Sequence, residues 1–151
     1  MTIQLNDEAI HDFHYDEIKQ FLKDEPLASF LGMKLTKLGP GTAEAELIPD
    51  ERMLNSHGMV HGAIIFSLAD YVFAAASNSY GKTAVGVTTN VNFISAGKRG
   101  MTLTGYAKEI KKNHKLAWYK IDVQSENELI ATMEAMVYRK SQYFIQQDKL
   151  R

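Results

Sequence analysis

The stretch that decides the fold runs from residue 52 to residue 81, RMLNSHGMVHGAIIFSLADYVFAAASNSYG. From Ala63 to Ala76 its only polar side chains are Ser67, Asp70 and Tyr71, so the helix it encodes is largely apolar on every face. Such a helix is buried, not laid on a surface. Starting near Gly62 and ending near Asn78, with Gly81 suited to the stop, it spans roughly 25 Å at about 1.5 Å per residue. That run is too short to cross a bilayer comfortably and carries Asp70 besides, which argues for a core helix. An ionised carboxylate is costly to keep from water, so Asp70 asks for a purpose.

Outward from the helix, the pattern sorts into simple elements. Residues 7 to 25 open with Asp7 and Glu8 and place Ile10, Phe13, Glu17, Phe21 and Leu22 at mostly helical spacing, until Pro26 ends the helix. A short helical turn over Leu27 to Leu31 leads to Gly32. MKLTKLGPGTAEAELI then reads as a hairpin, with its turn at Gly39-Pro40-Gly41 and Ala43, Ala45 and Leu47 alternating beyond it.

After Gly81 the period becomes two, with Val85, Val87, Val91 and Phe93 on one side of a strand and Thr88, Asn90 and Asn92 on the other. SAGKRG connects to the strand MTLTGYAKEI. KKNHK and QSENE then turn the chain into LAWYKIDV and LIATMEAMVYRK, an antiparallel meander, and SQYFIQQDKLR is expected to be peripheral. The fold class is α+β. A sheet of this size covers a fully apolar helix only by curling around it, and the helix face and sheet edges left over ask for a second subunit.

Composition narrows the function classes. With 45% hydrophobic and 23% charged residues and a net charge near −1, nothing global pulls the chain toward nucleic acid or an acidic membrane. The absence of cysteine removes disulfides, thiolate nucleophiles and cysteine-based zinc sites. His11, His14 and His114 have no partner at metal-ligand spacing, so no metal and no cofactor is expected. The first residues lack the basic start and apolar run of a secretory signal, and a cytoplasmic protein is expected. One domain over residues 1–151 is expected, with a helical extension at about 7–31 and a core at about 32–140.

Asn55, Gly58, His61-Gly62 and Leu68-Ala69-Asp70 together resemble the motif N-x-x-G-x-x-H-G-G-x-x-x-x-L-A-D of hotdog-fold acyl-CoA thioesterases of the phenylacetate-pathway (PaaI-like) type. The likeness extends over about residues 28 to 138, and departs at Ala63, where the family has a second glycine. Ala is the better helix former, so the change is tolerable. The resemblance implies a hotdog fold, in which an antiparallel sheet wraps one long central helix. It also implies acyl-CoA as substrate, and a homodimer with two composite sites, paired again into a homotetramer. Each site would take Gly62 from one chain and Asp70 from its neighbour.

The physics of these residues agrees. Gly62 lies in the first helical turn, where backbone N–H groups lack intrahelical acceptors and the dipole favours an oxygen gaining negative charge. Asp70 lies about 12 Å further along the axis, too far for both to grip one carbonyl within a single chain. Asp70 could attack the thioester or act as general base on water, and the sequence leaves both open. In the family pattern Asn55 orients the thioester or the water, while His61 braces the helix entrance.

Substrate-binding candidates are Gly58, Phe66, Phe73, Thr89 and Phe93 for the acyl side. Lys111 and Lys112, among a wider set with Lys98, Arg99, Lys108 and Lys115, are candidates for the coenzyme phosphates. Read singly, most of these residues have plainer explanations: a paired structural Asp70, a bracing His61, aromatic core packing and a solvated hairpin tip. The rival reading of the whole is a non-catalytic acyl-CoA-binding or sensing protein, which has no use for a reactive carboxylate. A hydratase would need a His–acid proton-transfer pair that the motif does not resemble, and a purely structural domain leaves the helix entrance unexplained.

Overall fold

The computed structural model describes residues 5–146. Three short helices come first: α1 (Asp7–Phe13), α2 (Tyr15–Lys23) and α3 (Pro26–Leu31). A hairpin of β1 (Lys34–Gly39) and β2 (Thr42–Leu47), a single 3-10 turn (Glu51–Met53) and the long helix α4 (Gly62–Ser77) follow. Strands β3 (Lys82–Phe93), β4 (Leu103–Lys112), β5 (Leu116–Ser125) and β6 (Glu128–Tyr143) complete the chain. All pairings are antiparallel, in the order β1-β2-β4-β5-β6-β3. None of the described helices is long and apolar enough to cross a membrane.

The sheet curls around α4. Leu68, Val72 and Phe73 of the helix are shut from solvent together with Leu47, Leu103, Ile121, Val123, Met133 and Val137 of the strands. Each such side chain contributes about 1.5–3 kcal/mol by leaving water. The hairpin turn works because Gly41 has φ +66°, and a Cβ there would stand only 2.8 Å from the Tyr80 hydroxyl.

Three expectations are corrected. The first concerns residues 7–25, which form two helices broken at His14, where φ is −108° and ψ is 20°. The buried positions are Ile10, His11, His14, Ile18 and Leu22, while Phe13 and Phe21 are exposed. Positions four apart creep by about 40° each around an unbroken 3.6-residue helix, and the break resets them toward the core.

The second concerns the faces of β3. Gly86 pairs with Val137 and Thr88 with Met136, so Val87 is the extra residue of a bulge. Directly paired residues share a face. Val91, Phe93 and Thr89, opposite the buried Met133, Ala131 and Ala135, therefore point toward α4, whereas Val85 pairs with the exposed Tyr138 and turns outward.

The third concerns the tail. Tyr143 pairs with Lys82, the Phe144 amide donates to the Gly81 carbonyl at 3.1 Å, and Ile145 is buried against Gly81. Residues 141 to 146 thus belong to the body of the fold, and the last five residues of the expected peripheral segment lie outside the described residues.

α4 itself keeps the left-over face expected of it. Its sides are not all covered: Ala63 and Asp70 are exposed, and Phe66, Ser67 and Ala74 are half-buried. These five fall on one stripe at helical spacing. Beside it, most of β3 is exposed at the sheet edge, including Val85 and Val87.

Two polar devices hold the ends. Asp7 accepts from Arg139 at 2.7 Å and lies 3.2 Å from the Lys112 ammonium, which also reaches Glu8 at 3.0 Å and sits over the Tyr80 ring. These contacts tie α1 to the ends of β4 and β6. At α4 the His61 Nδ1 accepts the Ala63 amide at 2.9 Å, making His61 the N-cap.

Burial pushes the Asp7 carboxyl up, but the hydrogen bonds and charges of Arg139 and Lys112 outweigh it and leave it below 3.8. Its contribution to stability is therefore complete above the unfolded carboxylate range and vanishes as pH falls through the lower folded value. Asp7→Asn is expected to cost about 2–3 kcal/mol in denaturant unfolding at pH 7, with the gap to the parent closing below about pH 4. His61→Ala is expected to cost about 1 kcal/mol in the same measurement, while His61→Ser, which keeps a capping acceptor, stays within about 0.5 kcal/mol of the parent.

Candidate active site

The segment before α4 is a tight loop closed on itself. The Asn55 amide donates to the Met59 carbonyl at 2.7 Å, and the Asn55 Oδ1 accepts the amides of His57 and Met59 at 2.9 and 3.1 Å. Gly58 turns the loop and donates its amide to the Asn55 carbonyl at 3.0 Å. The Val60 amide donates to Gly97 and the His61 amide to Met53, fixing where the helix begins. The oxygen of Asn55 is thereby spent on the loop, leaving its side-chain NH2 as the group able to reach a ligand.

At the helix entrance His61 takes the Ala63 amide, so that donor is used. The Gly62 amide meets no acceptor among the described residues. The Phe93 ring lies against Gly62, and a Cβ there would be 3.2 Å from Phe93 Cζ. Any larger residue at 62 must push the ring aside. Glycine keeps that amide approachable.

Asp70 lies about 12 Å further along α4. The sequence reading expects a carboxylate kept from water between two copies of the chain; in the single chain the side chain is exposed, because nothing in this chain covers the stripe on which it stands. Its apolar bed still pushes the carboxyl above its ordinary 3.8. Nearby stands a second carboxyl that sequence reasoning missed, Glu25, at the N-terminus of α3. Partial burial, and then the charge of Asp70, push Glu25 upward too. The Tyr71 hydroxyl, one residue beyond Asp70, donates to the Leu22 carbonyl at 2.9 Å and pins the end of α2 beside this part of α4. Glu25 is 45 positions away in sequence and sits between two helices, so no local pattern could have signalled it.

The remaining candidates divide. Phe66 stands on the open stripe, and Phe93 at the entrance. Thr89 faces α4 from the strand. Two close approaches, Phe93 to Gly62 and Gly86 to Phe73, show that β3 runs antiparallel to the helix. At about 3.3 Å per strand residue and 1.5 Å per helical residue, Thr89 comes about level with Asp70. Phe73 is fully buried, edge-on to Tyr119 at 5.7 Å, in the core behind the stripe. Lys111 is exposed on β4, whereas Lys112 already serves Asp7 and Glu8.

The arrangement offers an unengaged amide at a helix N-terminus and a carboxylate in an uncovered stripe, with apolar walls between them. Among the described residues no three His, Asp or Glu side chains come together as metal ligands.

The chain resembles known proteins over most of its length. A family model described as the thioesterase superfamily matches residues 57–132, the span that holds His61, Gly62, Asp70 and Thr89. A protein of Archaeoglobus fulgidus, provisionally named an esterase, is 35% identical over 131 residues, 85% of each chain. The acyl-coenzyme A thioesterase PaaI of Escherichia coli is 31% identical over 106 residues, 70% of this chain and 76% of that one. The solved structure of E. coli PaaI superposes with a TM-score of 0.82 over 91% of this chain and 99% of that one, at 25% identity. A phenylacetic acid degradation protein PaaI from Thermus thermophilus superposes with a TM-score of 0.75 at 31% identity, over 77% and 100%. The chain belongs to the thioesterase superfamily: it is a hotdog-fold thioester hydrolase.

Proposed function

We propose that the protein hydrolyses acyl-CoA thioesters to free coenzyme A and a carboxylic acid, at sites shared between two copies of the chain. The observation that carries this reading is the separation of Gly62 and Asp70 on one helix. Reacting atoms must approach to about 3–3.5 Å, so groups about 12 Å apart on one axis cannot serve the same carbonyl. Two copies related by a two-fold axis at the level of Phe66, with their stripes face to face and helices antiparallel, set Gly62 of each against Asp70 of the other. The same pairing covers Ala63, Phe66, Ser67 and Ala74 and offers the open edge of β3 a strand to pair with. The name of the E. coli relative supports acyl-CoA as the substrate class.

In this reading the thioester oxygen rests on the Gly62 amide, where the helix dipole and the bare N–H stabilise the charge that develops. Asp70, brought out of water by the neighbouring copy, either attacks the carbonyl carbon or removes the proton from the attacking water. In both cases the sulfur leaves as a thiolate; with Asp70 as base the acid forms directly from the attacking water, and with Asp70 as nucleophile the acyl group stays on its carboxylate as a mixed anhydride until water hydrolyses it to the acid. The Asn55 NH2 and the Thr89 hydroxyl stand to orient the carbonyl or the water. Phe66 and Phe93 wall the acyl group, Gly58 shapes the loop, and Lys111 is free to meet coenzyme phosphates. Lys112 and Phe73 are drawn off by the α1 contacts and by the core.

Asp70→Asn is expected to fold and oligomerise like the parent and to lose thiol release from an acyl-CoA panel by about 10²–10⁴-fold; near-parental rates on every good substrate would overturn the proposal. Because the Asp70 carboxyl is raised by its surroundings, the acid limb of the parent's kcat/KM profile should fall with an apparent pKa above 3.8. Mixing Asp70→Asn with Gly62→Val subunits should recover roughly a quarter of parental activity, since half the dimers are mixed and each carries one intact site. Failure of that mixture, with both variants folded and dimeric, would place the whole site within one chain.

A further inference from the structure

Glu25 is a titratable group with no part in the steps given to Gly62, Asp70, Asn55 and Thr89. It stands at the turn from α2 into α3, and the backbone holds it there. Leu22 and Ala28, on either side of it in the chain, are buried. Pro26 follows at the start of α3, and the Glu25 carbonyl accepts the Ser29 amide at 3.0 Å. The Tyr71 hydroxyl, on the Leu22 carbonyl at 2.9 Å, clasps this turn to α4 one residue beyond Asp70. The turn lies outside residues 57–132, the span that the family model matches.

The Glu25 side chain is half-buried, and among the described residues no cation or hydrogen-bond donor reaches its carboxyl. The groups it does meet are both on α4. Burial, and then the charge of Asp70, push the Glu25 carboxyl up. Burial, and then the charge of Glu25, push the Tyr71 hydroxyl up to about 12. Other charges nearby are turned away. Asp70 is the one charged residue of α4, and Thr89, Val91 and Phe93 on the facing side of β3 are neutral. Lys23 and Asp24 are exposed, and Asp24 accepts from Gln20 at 2.9 Å. Repulsion between like charges is mutual, so an Asp70 that opposes the charge of Glu25 has its own charge opposed in turn.

We propose that Glu25 is a positioning residue of the thioesterase site, a second carboxyl held beside Asp70 so that Asp70 is a stronger base or nucleophile than it would be alone. This rests on the catalytic role given to Asp70 above.

NMR of the Glu25 carboxyl carbon against pH, on the intact protein without substrate, tests the contact apart from turnover. The midpoint is expected at lower pH in Asp70→Asn than in the parent, because a like charge has gone. An unchanged midpoint overturns the proposal and leaves the Asp70 reading standing. The kcat/KM profile on acyl-CoA then tests the consequence. The parent's acid limb should rise in two steps, and that of Glu25→Gln in one, to a plateau about threefold to tenfold lower. Glu25→Asp, which keeps the charge, should restore the second step. A Glu25→Gln profile like the parent's, or a loss of rate with both steps kept, overturns the proposal, the latter because it marks a structural role. Turnover that survives Asp70→Asn removes the Asp70 reading and this proposal with it.

Discussion

The constraint on which this structure depends is a mismatch between one apolar helix and one sheet. A 16-residue helix whose polar side chains are confined to Ser67, Asp70, Tyr71 and Ser77 needs cover all round, and a six-stranded sheet curls far enough to cover most of it. The remainder is the stripe of Ala63, Phe66, Ser67, Asp70 and Ala74, which in one chain stays open. Its residues are mostly small, so another backbone can come close. In the function proposed above, the candidate nucleophile or base stands where a second copy would pack, so that association and chemistry would share one surface. Covering the stripe removes apolar area from water and strengthens every electrostatic contact of Asp70.

The N-terminal helices add a second layer. They are fastened at one end by Asp7, Arg139 and Lys112, and in the middle by the Tyr71 hydroxyl on the Leu22 carbonyl. The second fastening has a consequence for the site, because it holds Glu25 close enough for the charge of Asp70 to raise its carboxyl. Two carboxyls pushed the same way, one by its apolar surroundings and the other by burial and its neighbour, resist being ionised together. A segment outside the thioesterase motif thus carries a carboxyl whose ionisation that motif's carboxylate opposes.

How far the sequence could be read depended on the range of the interactions involved. The strands after Gly81 with the β4-β5-β6 meander, the hairpin at Gly39-Pro40-Gly41 and the limits of α4 follow from periodicity and turn chemistry, which act over a few residues, whereas the pairing of β3 with β6 at the sheet edge does not. The motif from Asn55 to Asp70 was legible because its spacing is local. What failed was set by distant partners. The break at His14 reflects the core beneath two helices, the bulge at Val87 reflects register against β6, and Ile145 is buried because Gly81 leaves room for it. Phe73 and Phe66 looked equivalent on a helical wheel; the strands behind α4 claim Phe73, while Phe66 is left at the opening.

By itself, the sequence determined that this chain buries one long helix in an antiparallel sheet and places a glycine amide and a carboxylate eight residues apart along it, because both follow from composition and spacing on a rigid helix. Tertiary structure alone decided which side of that helix stays open. It also brought Glu25 beside Asp70 and buried the Lys82 side chain at the start of β3. The physical reason is that burial and charge proximity depend on residues tens of positions away, and the folded chain alone sets those distances.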